Sequence, residues 1–176
     1  MKRIIVIGSA GAGKTTLSKA LSARLGIPHT ELDSLYHQPG WQPLPGDVFV
    51  ARILKLSEAS EWIFCGNYYT RLGQDVWPRA DTIIWCNYSF LRVLSRLLRR
   101  TIQRGVSKEE LWNGNQESLW TSFFTKDSII LWMLKSWKKQ NIRYGQLYAQ
   151  PEKLSGVTLV RLKTPRATRA FLASLD

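Results

Sequence analysis

Residues 8–15 read Gly8-Ser9-Ala10-Gly11-Ala12-Gly13-Lys14-Thr15, directly after the apolar run Ile4-Ile5-Val6-Ile7 and before Leu17, Ala20, Leu21 and Leu25 at helical spacing. A buried strand that hands over to a helix through small residues opens a crossover unit, whose next strand lies parallel to the first. The run matches G-x-x-x-x-G-K-[ST], the Walker A pattern, in its required strand-to-helix context. Small residues let backbone N–H groups turn inward around an anion, and the helix presents its positive dipole end to the same place. The pattern predicts that residues 8–15 and Thr16 hold nucleotide phosphates. Lys14 bridges the β- and γ-phosphates and the Thr15 hydroxyl ligates Mg²⁺. The bland alternative is a glycine turn with an exposed lysine.

Five short apolar runs read as strands: Arg3–Ile7, His29–Asp33, Trp62–Gly66, Thr82–Cys86 and Thr158–Leu162. Helical patterns separate them, so the expected fold is α/β, a five-stranded parallel sheet flanked by helices. Gly26 before Ile27-Pro28 predicts the first helix stop, Asp47 a cap for a helix through about Ser60, and Thr164-Pro165 the start of a helix through Leu175. Ile130, Leu134, Trp137, Asn141, Tyr144 and Tyr148 mark the longest helix. About 70 residues separate Cys86 from Thr158, more than one crossover helix needs. Residues 88–150 are therefore expected to form a helical insertion of lid type within a single domain spanning 1–176, with extra packing helices as the alternative. Ser107-Lys108-Glu109-Glu110 has the form of a capping box, and Trp112-Asn113-Gly114-Asn115 that of a loop.

The chemistry beyond the phosphate loop is expected at the carboxyl ends of the strands, where open α/β sheets bind ligands. Asp33 is placed to accept a proton from an acceptor hydroxyl, to hold Mg²⁺ through water, or only to cap a turn. Gly66, Asn67 and Arg71 follow the third strand and offer a polar or anionic substrate close backbone approach and hydrogen bonds. Arg92, Arg96, Arg99, Arg100 and Arg104 form the densest basic run. The first four share a helical face, suited to phosphate oxygens or to a solvated basic surface. Arg96 and Arg100 are expected to steady transition-state charge. Trp41 and Trp112, in loops, are candidates for stacking on a base or acceptor. His29 and His37 read as non-catalytic. The net charge of +12 favours an anionic ligand: nucleotide, phosphorylated metabolite or nucleic acid. Cys65 and Cys86 each close an apolar run and read as reduced, buried thiols of a cytoplasmic protein. No apolar run approaches the ~20 residues that cross a bilayer.

Together with the Walker A run, Leu32-Asp33-Ser34-Leu35-Tyr36, Pro39-Gly40-Trp41, Gly66-Asn67-Tyr68 and the arginine-rich helix occur in an order that resembles the adenylate-kinase-like P-loop proteins labelled topology modulation proteins. The resemblance covers almost the whole chain. It implies the nucleoside and shikimate kinase type of fold with an arginine-bearing lid, and places the Thr164-Pro165-Arg166 loop, with Arg166, beside the adenine. Where the family pattern often has aspartates, this chain has Cys65 and Asn87, which shifts the expected burden of holding Mg²⁺ to Asp33 and Thr15. The reading is an ATP- and Mg²⁺-dependent phosphotransferase acting on a small-molecule or nucleotide acceptor. The alternatives are an ATP-binding regulatory or nucleic-acid-associated protein, and a slow ATPase without acceptor.

Overall fold

The computed structural model of the chain describes residues 1–125 and 128–175; Lys126 and Asp127, within the expected insertion, and Asp176 lie outside the described residues. The sheet has five parallel strands, β1 (Arg3–Gly8), β2 (His29–Glu31), β3 (Trp62–Cys65), β4 (Thr82–Cys86) and β5 (Thr158–Leu162), in the order β2-β3-β1-β4-β5. β1 is central, and its side chains alternate between two cores. Ile5 and Ile7 pack with Phe49, Ile53, Phe64 and Ile83, whereas Ile4 and Val6 pack with Leu17, Leu21, Ile63 and Ile84. That alternation, buried on both sides, is what a continuous apolar strand covered by helices requires.

The helices are α1 (Lys14–Leu25), α2 (Leu32–Tyr36), α3 (Gly46–Leu56), α4 (Tyr69–Leu72), α5 (Phe90–Ser107), α6 (Leu119–Phe124), α7 (Ile129–Ala149) and α8 (Pro165–Ala173), with short 3-10 turns at Pro39–Trp41 and Trp112–Gly114 among others. α7 has a capped start: the Ser128 hydroxyl accepts from Leu131 N at 3.2 Å. It joins both cores, with Met133 in one and Tyr144 and Leu147 in the other, so its middle passes close to the carboxyl edge of β1. α8 begins as expected, with Thr164 Oγ1 accepting from Ala167 N at 3.1 Å, but stops at Ala173.

Several other boundaries differ from expectation, β1 among them, which runs on to Gly8. β2 stops at Glu31, because Leu32 turns into the core and starts α2, so Asp33 sits in the first turn of a helix. β3 stops at Cys65, one residue before Gly66. Asp47 lies in the first turn of α3 while Pro45 holds the cap position, and the helix ends at Leu56. Ser107-Lys108-Glu109-Glu110 starts no helix: Ser107 closes α5, Lys108 adopts a left-handed conformation (φ 50°), and Glu109 turns back onto Arg104.

Two glycines separate backbone strain from close packing. Gly26 (φ 70°) caps α1 in open space, whereas a Cβ on Gly8 (φ 148°) would sit 2.7 Å from the Cys86 carbonyl oxygen. Gly26→Ala is expected to cost about 1–2 kcal/mol, the left-handed penalty alone. Gly8→Ala should cost clearly more, because β4 backbone must also move. Urea denaturation of both variants checks this, and equal losses would contradict it.

Candidate active site

The site grows from the peptide of Gly8. Its N–H donates to Asn67 Oδ1 at 3.0 Å and its carbonyl accepts from Asn67 Nδ2 at 2.6 Å, so one amide side chain pins the exit of β1 to the exit of β3. Asn67 Nδ2 also lies 3.4 Å from Gln140 Oε1, which accepts from Ser9 Oγ at 3.1 Å. Gln140 thereby brings the middle of α7 onto the phosphate loop. From Gly8 the chain passes through Gly11 (φ 83°) and Gly13 (φ 87°) into α1. Gly13 holds the cap position with no side chain, which leaves the first N–H groups of α1 facing the loop. The Lys14 ammonium spans the loop and donates to the Ser9 carbonyl at 3.3 Å. Ala10 and Ala12 are buried beneath the loop, and Thr16 is exposed on α1.

α5 lies over this loop. A Cβ on Gly11 would be 2.7 Å from the Val93 carbonyl oxygen, and one on Gly13 would be 3.5 Å from Arg96 Nη1. The Arg96 guanidinium therefore stands beside the loop, 5.6 Å over the Tyr88 ring. Arg100, one turn further, is within electrostatic reach of Asp33 and 3.9 Å from Glu117. Burial pulls its pKa down, and Glu117 counteracts that shift first among its charged neighbours. Glu117 also holds Arg104 Nη1 at 3.0 Å, while Glu109 takes Arg104 Nε at 3.4 Å. Arg92, Arg96 and Arg99 are exposed, and of these Arg96 stands beside the loop. The helical face predicted to gather phosphate thus divides: Arg96 and Arg100 turn to the cleft, and Arg104 is spent on carboxylates.

The two acidic positions at the carboxyl end of β2, Glu31 and Asp33, also divide. Glu31, paired in register with Cys65, accepts from the Thr15 hydroxyl at 3.3 Å; Lys19 lies 4.0 Å from it. Asp33 Oδ1 accepts from the Tyr68 hydroxyl at 2.7 Å. Burial and the adjacent Asp33 both push the Tyr68 phenol up, so it remains a donor. Thr15 and Asp33 are the residues expected to hold Mg²⁺, and the carboxylate hydrogen-bonded to the Thr15 hydroxyl is that of Glu31. Burial raises the Cys65 thiol and takes Cys86 to about 12, so neither is a thiolate at neutral pH and Cys65 offers no anionic ligand. The hard oxygens of Thr15 and Glu31 are a donor set that suits Mg²⁺, which takes one or two protein oxygens alongside phosphates. No cluster of three or more His, Cys, Asp or Glu suited to a metal occurs among the described residues.

Gly66 and Asn67, expected to receive an acceptor, serve the protein's own frame. What crowds Gly66 is the Leu32 Cβ, 3.0 Å from where its own would be, and the Tyr68 ring, while Asn67 is committed to Gly8. Arg71 is exposed and lies 5.4 Å over the Tyr36 ring, one helical turn from Asp33. Arg166 is exposed in the first turn of α8, beyond the carboxyl end of β5. Asn87 is bonded to Asn141 at 2.8 Å and lies 3.5 Å from Arg161.

The tip of the 88–150 segment is fastened to the turn after α2. Asn113 Nδ2 donates to the carbonyls of Ser34 (3.1 Å) and His37 (2.6 Å), and Asn115 Nδ2 to that of Gln38 (3.0 Å). Asn115 Oδ1 accepts from Trp41 N at 2.8 Å. The His37 and Trp112 rings stack at 6.2 Å, and Trp41 meets both edge-on. The tryptophans expected to stack on a ligand stack here on His37 and each other. Sequence reasoning missed Glu31, Tyr68, Gln140 and Glu117 as members of the site. Glu31, two residues before Asp33, and Tyr68, next to Asn67, carried a local signal; Gln140 and Glu117 carried none.

The chain matches the family model described as PduV-EutP, ethanolamine utilisation - propanediol utilisation, over residues 1–52, the stretch from β1 into α3. No curated protein matches it. Among solved structures it is similar to shikimate kinase from Bacteroides thetaiotaomicron (16% identity, TM-score 0.55, covering 99% of this chain and 95% of that one). It is similar to shikimate kinase from Acinetobacter baumannii in complex with shikimate (14%, 0.60, 99% and 90%) and to a gluconokinase from Sinorhizobium meliloti 1021 (18%, 0.51, 99% and 93%). At these identities the likeness is one of fold, and the fold is that of the P-loop small-molecule kinases. No helix among the described residues is long and apolar enough to cross a membrane.

Burial lowers the pKa of both His37, in the fastened turn, and His29 below 6.5. The unfolded chain then binds protons that the folded chain refuses, so stability is full above about 6.5 and declines as pH falls through the window below it. Thermal midpoints between pH 7 and 5 are expected to fall, with a shallower slope in His37→Asn; a wild-type slope in that variant would contradict this account of the turn.

Proposed function

We propose that the chain is an ATP-dependent phosphotransferase that moves the γ-phosphoryl group to a hydroxyl of a small acceptor, in line with its resemblance to adenylate-kinase-like topology modulation proteins. The observation that carries the reading is Asp33. Its carboxylate is held by the Tyr68 hydroxyl and lies within electrostatic reach of Arg100, and the 112–116 turn is bonded to the neighbouring carbonyls of Ser34 and His37. An ATPase needs access for water, whereas a cleft closed by an insertion favours transfer to a bound acceptor.

In this reading the Gly8–Thr15 loop, through the N–H groups other than those of Gly8 and Ala12, with Thr16 flanking them, and the Lys14 ammonium bind the β- and γ-phosphates. Thr15 and Glu31 hold Mg²⁺, which neutralises phosphate charge when bound. Asp33 orients the acceptor hydroxyl through the oxygen not engaged by Tyr68 and takes its proton. Arg96, beside Gly13, and Arg100 oppose the charge that develops on the transferred group. Arg166 flanks the adenine, and Arg71 receives the acceptor. The 88–150 segment acts as the lid, with Gln140 tying its long helix to Ser9.

ADP release from ATP·Mg²⁺, with and without pooled nucleoside monophosphates, nucleosides and hydroxylated metabolites, tests the reading. An effective pool should raise the rate well above background. Lys14→Ala should lose about 10²–10³-fold. Asp33→Asn should lose ~10²–10⁴-fold in transfer while keeping ATP affinity. Glu31→Gln should raise the Mg²⁺ concentration required, which Asp33→Asn should not. A uniform background in every pool would move the assignment to an ATP-gated binding protein.

A further inference from the structure

Beyond Tyr68 the chain turns through α4, and between α4 and α7 lies a cavity of ≈ 310 Å³ lined by Tyr69, Thr70, Arg71, Gln74, Asp75 and Arg143 among others. Arg71 and Arg143 both line it, one from α4 and the other from α7. Neither guanidinium is ion-paired among the described residues. Each is instead set in place by an aromatic face and a hydroxyl. Arg71 lies 5.4 Å over the Tyr36 ring and 3.5 Å from its hydroxyl, and Arg143 lies 5.6 Å over the Tyr69 ring and donates to Thr70 Oγ1 at 3.2 Å. Stacking fixes the plane of a guanidinium and uses few of its five donors. Arg71 is further confined by the start of α3, where any Cβ on Gly46 would collide with it.

Two oriented guanidinia against one carboxylate, Asp75, give the cavity an excess of positive charge and forked donors that match an oxyanion. Through Arg71 the cavity adjoins the residues around Asp33. Tyr36, which carries Arg71, is one turn from Asp33, and its ring is 5.2 Å from that of Tyr68, whose hydroxyl holds Asp33. We propose that Arg71 and Arg143 bind an anionic group, phosphate or carboxylate, of the phosphoryl acceptor. This rests on the transferase reading above and narrows the acceptor to hydroxyl compounds that carry an oxyanion. The volume, at the lower end for small-molecule sites, suits a compact molecule.

The test is an NMR titration of the protein, held with excess Mg²⁺ and a non-hydrolysable ATP analogue, with methyl phosphate, acetate and methanol. Methyl phosphate or acetate should shift the resonances of residues 69–75 and 143, and methanol should not. Preference for methyl phosphate assigns a phosphate-bearing acceptor, and preference for acetate a carboxylate. Arg143→Gln should weaken the bound anion ~10-fold or more, and Arg143→Lys, which keeps charge without the fork, by less. If neither anion shifts these resonances, or both bind Arg143→Gln as they bind the wild type, the proposal is overturned. Paired turnover assays separate the two claims. Anion binding with no hydroxyl compound turned over removes the transferase reading alone; neutral acceptors turned over as fast as anionic counterparts remove the anion site alone.

Discussion

Gly8 exchanges two hydrogen bonds with the amide of Asn67, and the phosphate loop starts from the peptide that this exchange pins to the exit of β3. A phosphate loop works only if its N–H groups are held open toward one point, and a run of small residues does not hold itself. Here the loop is clamped from three directions: Asn67 from β3, the Cys86 carbonyl beneath Gly8 from β4, and the Val93 carbonyl against Gly11 from α5. The flexibility that lets glycine adopt these dihedrals is removed by packing, and the Ser9 hydroxyl on Gln140 and the Lys14 ammonium on the Ser9 carbonyl hold the loop from within.

The 88–150 segment does two jobs with one helix pair. α7 reaches both cores and touches the loop through Gln140, while α5 lays Arg96 and Arg100 along the cleft. Glu117 takes part of the cost of bringing Arg100 and Arg104 together, since like charges one turn apart repel unless a carboxylate stands between them. The tip at residues 112–116 rests on the turn after α2 through side-chain amides donating to backbone carbonyls. Such bonds exchange readily with water, which under the proposed transfer suits a contact that opens for an acceptor to enter.

Much of the fold was legible because its signals are local. β4 and β5 run over the expected residues, as apolar runs bounded by polar or turn-forming neighbours, and Thr164-Pro165 opens its helix as a cap followed by proline must. The phosphate loop was legible for the same reason. What escaped depends on contacts between distant positions. Asn67 reaches Gly8 across 59 residues, and nothing in Gly-Asn-Tyr distinguishes such a clamp from a turn. The handover from β2 to α2 is decided by the burial of Leu32, which separates Glu31 from Asp33 and gives them different partners. Ser107-Lys108-Glu109-Glu110 has the composition of a helix start but lies at a helix end, where Glu109 answers Arg104.

The measurement closest to the central claim is the fate of the γ-phosphoryl group, followed by ³¹P NMR as ATP·Mg²⁺ is consumed in the presence of pooled hydroxylated acceptors. The account predicts a new phosphate ester signal that grows with ADP and disappears with Lys14→Ala. Inorganic phosphate as the only product, formed at one rate whatever the pool, would contradict it.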